Sequence, residues 1–107
     1  MTLDDIFEKM PKALNPDAAA GVDATIQFNA GTPRNVVIRD GALTVNDGAA
    51  ESPTVSVTMA EDDLVGMLTG KLDGMTAFMT GKLKIDGDLM FAQKITSLFD
   101  AGRLKED

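Results

Sequence analysis

Apolar positions along the chain change their period several times, and each change marks an element. Leu3, Ile6, Phe7 and Met10 recur at helical spacing behind Thr2, a residue able to cap a helix together with Asp5 three positions on. This predicts a short first helix, interrupted by Pro11 and Pro16. From Val22 the period becomes two: Ala24, Ile26 and Phe28 alternate with Asp23, Thr25, Gln27 and Asn29, the pattern of a strand with one apolar and one wet face. Turn residues in "NAGTP" lead to a second strand in "NVVIR", and Asp40-Gly41 before "ALTVN" is a strong signal for a two-residue hairpin. After the polar, Gly- and Ala-rich "NDGAAESP", the run "TVSVTM" sets Val55, Val57 and Met59 on one face of a fourth strand.

Helical signals then return. Glu61, Asp62 and Asp63 gather where a helix macrodipole favours anions, ahead of Leu64, Val65, Met67 and Leu68, and Gly70 stands where this helix ends. Asp73 is placed to cap a further helix carrying Met75, Phe78 and Met79, which stops at Gly81. "KLKID" reads as a fifth strand with Leu83 and Ile85 alternating with lysines, and Gly87-Asp88 opens a final helix through Phe99 with Gly102 beyond it. Segregated strands and helices predict an α+β domain: a five-stranded, mostly antiparallel sheet with helices on one face. At 107 residues a single domain spanning 1–107 is expected.

Composition narrows the chemistry. Hydrophobic residues make up 44% and charged residues 25%, the profile of a globular chain. A formal charge of −7 disfavours nucleic acid as a partner and limits membrane contact to something local or transient. Neither a secretion signal nor a run of about 20 apolar residues is visible, so no stable membrane insertion is expected and a cytoplasmic location is. The chain contains no Cys, His, Tyr or Trp, and it therefore lacks the usual proton shuttle near neutral pH, thiol nucleophiles and soft metal ligands. The acidic run 61–63 lacks the alternating oxygens and glycine turn of a calcium loop. Each Gly-Lys pair, at 70–71 and 81–82, is followed by Leu rather than the Ser or Thr of a phosphate loop. No catalytic residue, metal site or cofactor is expected.

Methionine is the compositional anomaly. Of seven, five (Met59, Met67, Met75, Met79 and Met90) fall between the fourth strand and the last helix. Unbranched and polarizable, Met suits a wall that accepts ligands of variable shape, and it serves equally as filler in a core poor in aromatics.

The stretch Gly70-Lys71-Leu72-Asp73, then Ala77-Phe78-Met79-Thr80-Gly81-Lys82-Leu83-Lys84-Ile85-Asp86-Gly87-Asp88-Leu89, closely resembles the sterol carrier protein-2 (SCP2) domain family. Element order over the rest of the chain follows the same family. The resemblance implies a five-stranded sheet covered by helices with a hydrophobic tunnel between the layers, and non-catalytic carriage of fatty acids, fatty acyl-CoA, phospholipids or sterol-like lipids. It places Ala77, Phe78 and Met79 on the helix bordering the tunnel, Leu83 and Ile85 on the inward side of the fifth strand, and the helix from Leu89 to Phe99 at one end. The expected ligand-binding set is Met59, Leu64, Met67, Leu68, Met75, Phe78, Met79, Leu83, Ile85, Met90, Ile95 and Phe99. Lys71, Lys82, Lys84 or Arg103 would meet a headgroup near an opening. The chain ends "RLKED", without the Ser-Lys-Leu-type peroxisomal address that many eukaryotic members carry, which sets the expectation of a bacterial, stand-alone member. The alternative reading is an interaction or accessory module, pairing with a second copy or with a lipid- or quinone-metabolising enzyme while its cavity is filled.

Overall fold

The structure, a computed structural model, describes residues 2–105; Glu106 and Asp107, the tip of the RLKED segment, lie outside the described residues. Helix α1 (Leu3–Ala13) begins with the expected capping box. Thr2 Oγ1 accepts the Asp5 N–H at 3.3 Å, and Asp5 Oδ2 accepts the Thr2 N–H at 3.1 Å. These bonds, led by the Thr2 backbone donor, hold the Asp5 carboxyl below its ordinary value. Pro11 does not interrupt the helix. Met10 and Ala13 are fully buried on either side of it, so packing carries the chain through one more turn despite the missing backbone donor. The short helix α2 (Pro16–Ala19) follows, capped by Asn15.

Five strands then build one open sheet: β1 (Ala24–Asn29), β2 (Arg34–Arg39), β3 (Ala42–Asp47), β4 (Val55–Thr58) and β5 (Lys84–Gly87), in the order β3-β2-β1-β4-β5. The β2–β3 hairpin turns on Asp40 and Gly41, both at positive φ (53° and 76°), as the Asp-Gly signal requires. Three pairings are antiparallel, but β1 and β4 run parallel, so the sheet is mixed.

That parallel pairing explains a departure from the simple alternation of β1. To enter β4 alongside Ile26, the segment 48–54 recrosses the polar face of the sheet. Gln27, expected to be wet, is only 4% exposed there; its Oε1 accepts the Ala50 N–H at 2.7 Å and its Nε2 donates to the Gly48 carbonyl at 3.4 Å. Asn35 is buried beside it and donates to the same carbonyl at 3.2 Å. Burying these amides is tolerable because their polar atoms are paired.

The apolar face carries Ile26, Phe28, Val36, Ile38, Val55 and Val57, all buried. Helix α1 lies on it, with the Phe7 and Phe28 rings edge to face at 5.6 Å. Arg34 stacks over Phe7 at 4.9 Å and pairs with Asp4. Helices α3 (Glu61–Leu68) and α4 (Gly74–Met79) follow β4.

The expected final helix, ending at Phe99, is broken into two, α5 (Leu89–Ala92) and α6 (Ile95–Leu98), and an unexpected further helix, α7 (Ala101–Lys105), follows. The break before α7 has a tertiary cause. Phe99 is extended because it bridges Leu14, with the Asn15 N–H donating to the Leu98 carbonyl at 2.7 Å and the Asp100 N–H to the Ala13 carbonyl at 2.8 Å. Gly102 falls inside α7, its N–H bonded to Asp100 Oδ1 at 2.9 Å.

Candidate functional site

The segment from Asp73 to Asp88 is built by caps and glycines. Asp73 caps α4, its carboxylate accepting the Met75 N–H at 3.3 Å and the Thr76 hydroxyl at 3.2 Å. At the other end Gly81, at φ 80°, turns the chain so that the Lys82 and Leu83 N–H groups both donate to the Ala77 carbonyl, at 2.9 and 3.1 Å. Leu83 is thereby tucked under the helix before β5 begins at Lys84, two residues later than the alternation predicts. In the β4–β5 pairing Ile85 lies opposite Val57. At Gly87 (φ 108°) the chain passes so close to β4 that a Cβ would stand 2.7 Å from the Thr54 carbonyl oxygen. Asp88 then caps α5, accepting the Phe91 N–H at 3.0 Å.

Between these pieces lies a cavity of about 330 Å³. Gly74, Met75 and Phe78 form its α4 side, with Met67 of α3 behind them. Val57, Leu83 and Ile85 form the sheet side. Leu89, Ala92, Gln93, Ile95 and Thr96 form the third wall, along α5 and α6. Exposure of Met75 and Leu89, 54% and 46%, marks the mouth. Asp73 brings the one charged side chain among the described lining residues, and its carboxylate is occupied in capping α4. The volume is at the lower end of the roughly 300–1,000 Å³ of small-molecule sites, and the mainly apolar lining fits their usual character.

Six of the twelve residues proposed from the sequence line this cavity: Met67, Met75, Phe78, Leu83, Ile85 and Ile95. Met59, Leu64, Leu68 and Phe99 are buried in the core instead, away from the lining. Met79 and Met90 are 78% and 72% exposed and stand outside the walls. Val57 was legible as an inward strand position. Leu89, Ala92, Gln93 and Thr96 were not, because their placement depends on the break between α5 and α6. Of the proposed headgroup residues, Lys71, Lys82 and Lys84 are exposed and outside the lining. Arg103 is engaged elsewhere, pairing with Asp100 at 3.7 Å and donating to the Lys12 carbonyl at 3.1 Å. No helix among the described residues is long and apolar enough to cross a membrane.

Comparison with known proteins gives a consistent result. Residues 3–100 match the SCP-2 sterol transfer family. The oleate-induced peroxisomal protein POX18 of Candida maltosa is 33% identical over 95 residues, covering 86% of this chain and 72% of its own. Among solved structures, the stereoselective inverting sec-alkylsulfatase Pisa1 of a Pseudomonas species superposes with a TM-score of 0.84 at 28% identity, over 94% of this chain and 16% of that one. Apo sterol carrier protein 2 of Yarrowia lipolytica shares the fold with a TM-score of 0.70 at 22% identity, over 95% of this chain and 91% of that one. The chain spans 14% and 12% of the length of other curated relatives that it matches, which are much longer proteins.

Proposed function

This chain belongs to the SCP-2 sterol transfer family, and on that premise we propose that it binds and carries hydrophobic ligands, among them fatty acids, fatty acyl-CoA, phospholipids and sterol-like lipids, without transforming them. The observation that carries this reading is the apolar cavity of about 330 Å³ between α4, the β4–β5 pair and α5–α6. An acyl chain entering past Met75 and Leu89 leaves water for a wall of Val57, Met67, Phe78, Leu83, Ile85 and Ile95, gaining roughly 25 cal/mol per Å² of apolar area removed from water. Each additional methylene is worth about 0.8 kcal/mol, about fourfold in affinity, so chain length is read only coarsely. The polar atoms of Gln93 and Thr96 in the third wall supply hydrogen bonds for the polar end of a ligand. We place this carriage in the cytoplasm.

Native mass spectrometry of protein purified without detergent, paired with lipid extraction, tests the reading. Mass added by a lipid, or by a fatty acid or acyl-CoA supplied afterwards, is the expected result. A clean mass that takes up neither would move the weight to an interaction module.

A further inference from the structure

Oxidation chemistry in this chain has few places to act. With no Cys, His, Tyr or Trp, the side chains that a peroxide attacks most readily are the methionine thioethers. The fold sorts the six methionines among the described residues into two groups. Met10, Met59 and Met67 are buried and shielded from a peroxide in water, whereas Met75, Met79 and Met90 are 54%, 78% and 72% exposed and open to it. Of the exposed three, only Met75 lines the cavity, and it does so at the mouth. The Asp73 cap fixes it there: the Met75 N–H donates to the capping carboxylate in the first turn of α4, which sets the side chain between the cavity and water.

Converting that thioether to a sulfoxide changes what the mouth offers a ligand. The thioether is apolar, polarizable and able to follow an acyl chain, whereas the sulfoxide carries a strong acceptor oxygen. Its neighbours in the α4 wall, Gly74 and Phe78, have no side-chain donor, and the Asp73 carboxylate is itself an acceptor, already engaged. The new oxygen therefore holds water at the mouth. An entering chain must strip that water and leave a polar atom unpaired, or forgo the contact.

We propose that Met75 is a redox-sensitive modification site that gates the cavity: a peroxide oxidises its thioether to the sulfoxide and weakens acyl-ligand binding, and reduction restores it. With hydrogen peroxide the sulfur lone pair takes one oxygen, the O–O bond breaks, and the second oxygen leaves as water with both protons. Sulfur is oxidised by two electrons and the peroxide is reduced by two. Reversal by methionine sulfoxide reductase takes two thiols to a disulfide and releases the oxygen as water. The gate rests on the carrier reading, because it acts on the ligand cavity. A chain seated in the mouth also covers the sulfur, so ligand and peroxide compete for one side chain.

The test is hydrogen peroxide treatment with and without palmitate, followed by peptide mass mapping, circular dichroism and displacement of a fluorescent fatty acid. It compares the wild type, Met75→Leu and Met79→Leu/Met90→Leu, in which leucine keeps the bulk and removes the thioether. One oxygen is expected on each of Met75, Met79 and Met90, and palmitate should protect Met75 alone. Each protein is then measured against itself before and after peroxide. Wild type should lose about tenfold in affinity, roughly one to two methylene contacts at about fourfold each, and regain it with methionine sulfoxide reductase. Met79→Leu/Met90→Leu should lose as much, since neither residue lines the cavity. Met75→Leu should change by less than about twofold. Unchanged wild-type affinity after full oxidation of Met75, an equal loss in Met75→Leu, or a loss accompanied by unfolding overturns the gate. So does palmitate protection of Met79 and Met90 as strong as that of Met75. If the reduced wild type takes up no fatty acid at all, the carrier reading fails and the gate falls with it.

Discussion

Gly74 offers a way to fill the cavity without disturbing the walls. It is the first residue of α4 and part of the lining, its φ lies outside the positive range, and a Cβ added there would meet only Met67 Sδ at 3.5 Å and Cγ at 3.9 Å, ordinary van der Waals contacts. Gly74→Leu therefore directs four carbons toward Met67 and into the space a ligand needs. If those carbons displace as many from an acyl chain, the loss at about 0.8 kcal/mol each is about 3 kcal/mol, more than about a hundredfold in Kd. Gly74→Ala displaces one carbon and should weaken binding about fourfold. Helix stability should not suffer, since both replacements favour a helix over Gly. Displacement of a fluorescent fatty acid measures the affinities, and circular dichroism with urea unfolding confirms that each variant is folded. A folded Gly74→Leu protein with Kd within about threefold of the wild type would refute the placement of the ligand.

Other substitutions test the scaffold. Gly87→Ala forces a side chain to φ 108° and a Cβ to 2.7 Å from the Thr54 carbonyl oxygen, so β5 must part from β4; urea unfolding should show a loss of about 2–4 kcal/mol. Phe28→Ala removes a ring that is 1% exposed and packed edge to face on Phe7, and should cost about 3–5 kcal/mol, enough to unfold a large share of the protein. The capping box predicts a pH dependence. Because the Asp5 carboxyl is held below its ordinary value of 3.8 in the folded state, its contribution is complete above that value and disappears as pH falls through the lowered one. The urea midpoint of Asp5→Asn should therefore lie below that of the wild type at neutral pH and converge with it in strong acid.

What was legible in the sequence is what local chemistry decides. The Thr2–Asp5 box, the Asp40-Gly41 turn, the Asp73 cap and the Gly81 stop each depend on a few neighbouring residues, and each appears where the pattern puts it. The misreadings arise where distant segments meet. Pro11 is overridden by burial of Met10 and Ala13, Gln27 is covered by the crossing of 48–54, and beyond Phe99, held extended by its pairing with Leu14, the chain turns into the unexpected helix α7. The cavity shows the same division. The family resemblance, laid over the apolar pattern, singled out Met67, Met75, Phe78, Leu83, Ile85 and Ile95, all in the lining, but did not separate them from Met59, Leu64, Leu68 and Phe99 in the core or from Met79 and Met90 outside. Apolar residues look alike in one dimension whether they face a cavity, a core or solvent.

Methionine makes the central claim directly measurable. Met67 and Met75 line the cavity, whereas Met10, fully buried on the core face of α1, and Met59, just after β4, are equally apolar but lie outside it. With the methionine methyls labelled for NMR, palmitate added to the protein should give acyl-chain contacts and shift changes at Met67 and Met75, leaving Met10 and Met59 unmoved. Contacts confined to Met10 or Met59, or none at saturating palmitate, would contradict the assignment of the ligand to the space between α4 and the β4–β5 pair.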